Sequence, residues 1–246
     1  MENTTSLKLS RFLKLDYSTK NDIWLSSQDS LRKLVGILGM LLPVLLFVFL
    51  FVDTSYAIPL PSISHYYYTR VGSIFIIVVS LLAIFLLVYK GEEPVDFYIS
   101  SVAGIFAQVL ILFPTSNISD ICCDAAKKYS VTVLKKSDFR VNLHYISAAI
   151  FLLSLAYMSL FLFTKSNKIP SQRPRDKKIR NRIFRTCGAI MALAVLVIFL
   201  RLVKIVNADQ YDNNHLTFWM ESIAVESFGV SWLVKGKLFF IGSVHV

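Results

Sequence analysis

Charge is scarce in this chain, and negative charge most of all: Asp, Glu, Lys and Arg make up 17% of its 246 residues, and only 16 residues are acidic. A soluble domain carries about 25% charged residues. So thin a supply, beside 55% hydrophobic residues, excludes an ordinary water-facing surface. Cysteine is rare as well, at three. Cys122 and Cys123 are adjacent and Cys187 stands apart, so neither a disulfide framework nor a CxxC metal site is indicated. No HExxH or HxxxH pair and no glycine-rich phosphate loop occurs, which removes the usual signatures of zinc proteases and nucleotide-binding enzymes.

What is present is a series of apolar runs. They cover Leu34 to Val52, Val71 to Tyr89, Val95 to Phe113, Leu143 to Phe163, Ile183 to Val203 and Leu216 to Val234. A helix needs about 20 apolar residues to cross a bilayer. The expectation is therefore an all-α polytopic membrane protein with six transmembrane helices in one bundle. Residues 34–236 form that bundle, residues 1–33 a basic, partly amphipathic amino-terminal segment with Trp24 at headgroup level, and residues 237–246 a short tail. The first run is followed by Asp53-Thr54-Ser55 without a small-residue cleavage site, so it is expected to stay as a signal anchor.

Basic residues set the orientation. Counting Arg185 at the mouth of the fifth run, 18 of the 26 Lys and Arg fall on the amino terminus, the second and fourth connections and the carboxyl terminus. The positive-inside rule then puts both termini in the cytoplasm. The connection TKSNKIPSQRPRDKKIRNRIFR is the most basic stretch, and its expected partner is anionic lipid headgroups. Nucleic acid is not an expected partner, since no aromatic interleaving accompanies the charge.

Within the spans, local chemistry marks helix ends and contacts. Asp96, after the tight turn Lys90 to Pro94, is placed to cap the third helix. Ser100 with Gly104, and Gly188 with Ala192, give small-residue faces for close helix packing, between subunits as well if the chain forms a homo-oligomer. Ser62 or Ser64, after Pro59 and Pro61, is placed to cap the second helix. A helix starting there puts His65, Tyr68, Thr69 and Gly72 on one face. Asn117-Ile118-Ser119 reads as a glycosylation sequon in a secretory eukaryotic setting.

The sixth run, LTFWMESIAVESFGVSWLVK, carries Glu221 and Glu226. An ionisable group inside a span costs roughly 2.5–3.5 kcal/mol, so such groups face a partner, a cavity or a substrate. At 100° per residue the two glutamates are about 140° apart and cannot both enter one narrow pocket. Three of the four histidines, His65, His144 and His215, stand at the outer starts of the second, fourth and sixth helices. Glu221 is about 8 Å below them, with Gln108 at similar depth and Arg70 and Arg201 flanking. The expected ligand-binding set is Glu221, His144, Tyr68, Gln108, His65 and Arg70, in an outer-facing cavity that binds or passes a small polar, ionic or lipid-like ligand. Glu226, with Ser222 one turn above it, is expected to be a buried structural group.

Two other readings use the same residues. His65, His144 and His215 with a carboxylate are ligand types for zinc, whose bound water would make the protein a hydrolase of lipid-like substrates. The small-residue faces suit an oligomeric, channel-forming membrane effector.

The phrases SISHYYYT (Ser62 to Thr69), LHYISAAIFLLSLAYMSLFLF (Leu143 to Phe163) and FGVSWLVKG (Phe228 to Gly236) resemble a set of bacterial six-span integral membrane proteins of unknown function. That resemblance covers Leu34 to Gly236 and implies residence in a bacterial inner membrane and a shared polar layer. There is also a looser similarity to the membrane hydrolases that include alkaline ceramidases and progestin-receptor-like proteins, which implies a zinc site but in a seven-helix frame.

Overall fold

The computed structural model describes residues 28–91, 93–120, 128–166 and 172–238. The expected amphipathic amino-terminal segment, the Cys122-Cys123 pair and most of the carboxyl-terminal tail lie outside these residues. Six helices of 17 to 28 residues carry the fold: α1 (Gln28–Thr54), α2 (Gly72–Val88), α3 (Pro94–Leu112), α4 (Asp138–Tyr157), α5 (Arg175–Leu202) and α7 (Leu216–Lys235). A single turn of helix, α6 (Ala208–Asn213), precedes α7, and α4 ends in a π-helical turn, Met158–Leu162. No strand occurs among the described residues, which hold one isolated bridge, Thr69 to Ser130.

Four helices, α1, α3, α4 with its π turn, and α5, are long and apolar enough to cross a membrane. Apolar α2 falls short of that length at 17 residues. The 20-residue α7 carries two glutamates and four serines or threonines. The shortness of α2 corrects the expectation of a helix continuous from Ser62. Residues Ile63–Tyr68 form a separate 3-10 helix, and the chain turns through Thr69 and Arg70 before α2 begins at Gly72.

The helices pack in chain order, each against the next, and α7 returns to close on α1. Glycines set the closest approaches. A Cβ on Gly36 of α1 would stand 2.8 Å from the Gly229 carbonyl oxygen of α7, and one on Gly104 of α3 would stand 2.8 Å from the Ala83 carbonyl oxygen of α2. The small-residue faces expected in α3 and α5 are both used: Gly188 of α5 lies against Ala156 of α4.

At the end of the molecule where α1 begins, hereafter the lower end, Trp232 of α7 is buried and packs its indole against Phe85, Tyr89, Phe163 and Phe228 at 5.1–5.8 Å. That ring cluster ties α2, α4 and α7 together. Charges close the same end: Asp29 pairs with Lys237 at 3.1 Å, and Lys165 reaches Glu93 at 2.7 Å and Asp96 at 3.6 Å. Asp96 caps α3 as expected, in a capping box with Glu93 whose N–H it accepts at 3.1 Å.

Higher up, a hydroxyl contact fixes α4 against its neighbours. Ser159, inside the π turn, donates to the Phe184 carbonyl at 2.8 Å and shares a 2.7 Å hydrogen bond with Ser231. The wider turn sets Ser159 where α4, α5 and α7 meet.

Candidate functional site

At the upper end, the polar residues that the sequence gathers into one layer are engaged with backbone. Glu221, half-buried on α7, accepts the Ile63 N–H at 2.7 Å and also the Ser64 N–H. These are free donors at the start of the 3-10 helix, where a carboxylate is favoured. Ser62, expected to cap this segment, instead shares a 2.6 Å hydrogen bond with His65 Nδ1. Glu221, 158 residues away in sequence, takes over the capping role. The Phe218 N–H donates to the Pro61 carbonyl at 3.1 Å, so α7 holds this segment by its backbone as well.

Tyr68 and His144 do for the α3–α4 connection what Glu221 does for the 3-10 helix. The buried Tyr68 hydroxyl donates to the Thr115 carbonyl. His144 Nδ1 lies 3.2 Å from the Leu110 carbonyl and 3.0 Å from that of Phe113. A carbonyl only accepts, so the ring proton sits on Nδ1. Both side chains thus satisfy carbonyls at the end of α3 and just beyond. Asn117 clips the same connection to Leu134, accepting its N–H at 2.9 Å and donating to its carbonyl at 2.9 Å. With its amide so engaged and the residue buried, Asn117 does not present an open sequon.

The remaining members of the expected set lie apart. Arg70 is exposed and faces Asp53 at 3.6 Å, while Arg201 forms a two-point pair with Asp212 at 3.1 and 2.5 Å. The acids that these arginines meet among the described residues are Asp53 and Asp212, and neither arginine neutralises Glu221 there. Gln108 is half-buried on α3 and its amide has no hydrogen-bond partner among the described residues. His65 is fully enclosed, with Nε2 unpartnered. Burial, and secondarily the nearby His144, push its pKa down to about 3, so the ring is neutral. His215 begins α7 in a left-handed conformation, φ 51°, and its partial burial also lowers its pKa. No three His, Cys, Asp or Glu residues converge among the described residues. His65, His144 and His215 therefore do not form the three-histidine metal site considered from the sequence.

Open space lies elsewhere. A groove of about 600 Å³ runs between α1 and α7. Pro43, Val44, Phe47 and Val48 form its α1 wall, Ile190 of α5 borders it, and Ala57 and Pro59 roof it. On α7, Phe218, Trp219 and Ile223 are apolar lining, and Ser222, Glu226 and Ser227 are the polar lining. The exposed faces of Val44, Val48, Trp219 and Ile223 leave the groove open toward the outside of the bundle. Ser222 is buried and its Oγ has no partner, and no hydrogen bond or ion pair to Glu226 is found among the described residues.

No family model, no curated protein and no solved structure matches the chain.

A second cavity of about 500 Å³ lies at the upper end, beside the start of α4. Its charged lining is mixed: Asp120 and Asp138 against Lys136 and Arg140. Arg140 is already bonded to the Pro114 and Lys135 carbonyls at 3.1 and 2.6 Å. Balanced charge and a committed guanidinium agree with a solvated loop.

The candidate site is therefore the α1–α7 groove. The sequence carries half of its signal, because Ser222 and Glu226 stand four residues apart on one helical face. The missing half is which face of α7 its neighbours leave uncovered.

Proposed function

We propose that the chain is a six-span integral membrane protein that binds an amphiphilic, lipid-like ligand in the groove between α1 and α7. One observation carries this reading: among the described residues Ser222 Oγ is buried without a partner, and Glu226 beside it has none either, in a groove whose other walls are apolar. Polar groups held in such surroundings cost free energy unless something completes their hydrogen bonds. A volume of about 600 Å³ falls in the range of small-molecule sites, roughly 300–1,000 Å³. An amphiphile entering from the bilayer would lay its chain along the apolar walls and bring its polar group to Ser222 and Glu226.

Six crossings, with both termini on the cytoplasmic side, accord with the distribution of Lys and Arg and with the alternating direction of the six long helices. Thiol labelling of single cysteines at Lys90 and Lys204 tests that topology: the two should react from opposite sides of the membrane.

The binding reading is tested with protein reconstituted in nanodiscs and a panel of fluorescent single-chain amphiphiles of equal tail length. Saturable binding is expected, and Ser222→Trp, which fills the groove, should weaken it about tenfold or more. Binding by none of the panel, or binding indifferent to Ser222→Trp, would sink the proposal. The zinc hydrolase reading gains nothing from the geometry, because no three metal-ligating side chains converge among the described residues.

A further inference from the structure

We infer that the ligand of this groove is a single-chain lipophilic amine, bound as an ammonium by Glu226 and Ser222; the inference rests on the groove being a ligand site, and it fixes the chemistry of the polar group. Among the described residues, the lining of the groove contains one acid and no base. Its polar side chains are Glu226, Ser222 and Ser227, so a carboxylate and two hydroxyls face whatever enters. Across from them Pro43, inside α1, has no N–H to return to the Gly39 carbonyl, so it adds no backbone donor to the opposite wall. The site is rich in acceptors and poor in donors.

That imbalance selects the ligand. A fatty acid or a phosphate ester would set its negative group against Glu226 with no base to offset the repulsion. A neutral alcohol supplies one donor and leaves the carboxyl group partly unsatisfied. An ammonium supplies three N–H donors and a positive charge. Glu226 and Ser222, one turn apart on the same face, offer acceptors for them in a charge-assisted arrangement. An amine that arrives neutral from the bilayer takes the carboxyl proton of Glu226 as it binds, so the pair forms without a free charge crossing the apolar walls.

The position of the groove fits a single tail. Glu226 is about ten residues, or roughly 15 Å, into α7 from its upper end. Trp219 lies two turns above it, on the way to the Ala57 and Pro59 roof. An ammonium at Glu226 therefore has its chain directed along Ile223, Val44 and Val48, all exposed apolar residues.

The deciding experiment uses full-length protein in nanodiscs of neutral lipid. Binding of a long-chain primary alkylamine is compared with the alcohol and the fatty acid of the same chain length, for the parent protein, Glu226→Gln, Ser222→Ala and Ser222→Trp. The amine should bind about 10- to 100-fold more tightly than the alcohol, the range that a charge-assisted hydrogen bond supports. Glu226→Gln should remove that preference, bringing amine binding down to the level of the alcohol. Ser222→Ala should weaken the amine several-fold, which keeps the test open if Glu226→Gln does not fold.

If alcohol or fatty acid binds as tightly as the amine, the amine assignment is overturned while the groove remains a ligand site. If amine binding survives Ser222→Trp, the amine sits elsewhere and the assignment is again overturned. Failure of all three ligands to bind removes the groove reading itself.

Discussion

Glu221 and Glu226 lie five residues apart on one helix, yet they meet opposite surroundings. Glu221 is capped into the fold, accepting the first N–H groups of a 3-10 helix 158 residues away in sequence. Glu226 faces a groove and touches no partner among the described residues. Residue type and hydrophobic context are the same for both, so neither decides the role. What decides is the rotation of about 140° between them and what the rest of the chain presents on each side. On one side the Pro59–Pro61 segment offers unpaired backbone donors; on the other α1 and α5 stop short of closing over α7. A carboxylate on one apolar helix thus becomes a structural staple where backbone donors meet it and a candidate binding group where none do.

The largest expected effect tests the staple. Glu221→Ala leaves the Ile63 and Ser64 N–H groups without their acceptor, which costs about 1–3 kcal/mol for each buried group left unsatisfied. Glu221→Gln keeps one carbonyl oxygen and should lose less. Glu226→Gln, by contrast, removes an acidic group that has no partner among the described residues and should leave thermal stability in detergent unchanged or raised. Equal losses for the Glu221 and Glu226 variants in thermal unfolding would break the comparison.

A smaller loss is expected where α1 and α7 touch below the groove. Gly36→Ala introduces a Cβ 2.8 Å from the Gly229 carbonyl and 2.9 Å from Leu233 Cγ, so the helices must separate. Overpacking of this kind costs about 1–3 kcal/mol. The groove shares the α1–α7 seam, so the same change should alter amphiphile binding, whereas Gly104→Ala, at the α2–α3 contact, should destabilise without touching binding. Measuring melting and binding on both variants separates the two seams.

Much of this was legible in the sequence. All six apolar runs became helices, with α1, α4 and α5 extending past them into polar ends such as Ser137, whose hydroxyl accepts the Arg140 N–H. Asp96 as a cap and the glycine faces followed from local chemistry. The upper polar residues were gathered by their spacing, but their hydrogen-bond partners were not named by it. Spacing reveals that His144, Tyr68 and Glu221 are near one level, yet their acceptors and donors are backbone groups of Leu110, Phe113, Thr115 and Ile63, and nothing in the side-chain pattern names those. Ser62 shows the same limit. It had two outlets, the backbone and His65, and the long-range arrival of Glu221 left it to the imidazole.

His65 extends the comparison to pH. Burial holds its folded pKa at about 3, below the ordinary value of 6.5. The unfolded chain takes up a proton as pH falls below about 6.5 while the folded chain stays neutral, so the contribution to stability is intact above that range and is lost progressively as pH falls toward about 3. The melting temperature should drop between about pH 7.5 and pH 5, by an amount on the order of 1–2 kcal/mol in stability. His65→Asn, which retains a group able to bond Ser62, should flatten that dependence. A pH profile unchanged by the substitution would mean that another group sets it.

The smallest effect on stability is the most telling for the groove. Ser222 is buried, but its Oγ makes no hydrogen bond, so Ser222→Ala removes a polar atom that the empty fold does not use. Deleting an unsatisfied buried hydroxyl relieves its desolvation cost and leaves the helix a better former. Stability should therefore hold within about 0.5 kcal/mol or rise slightly. A hydroxyl kept for packing alone would show nothing further, and a hydroxyl that completes a ligand would reveal itself only when the ligand is present. Ser222→Ala should melt like the parent in detergent alone, and should gain less thermal protection from an added amphiphile. Equal protection of the two proteins would return Ser222, and with it the face it shares with Glu226, to the status of ordinary helix surface.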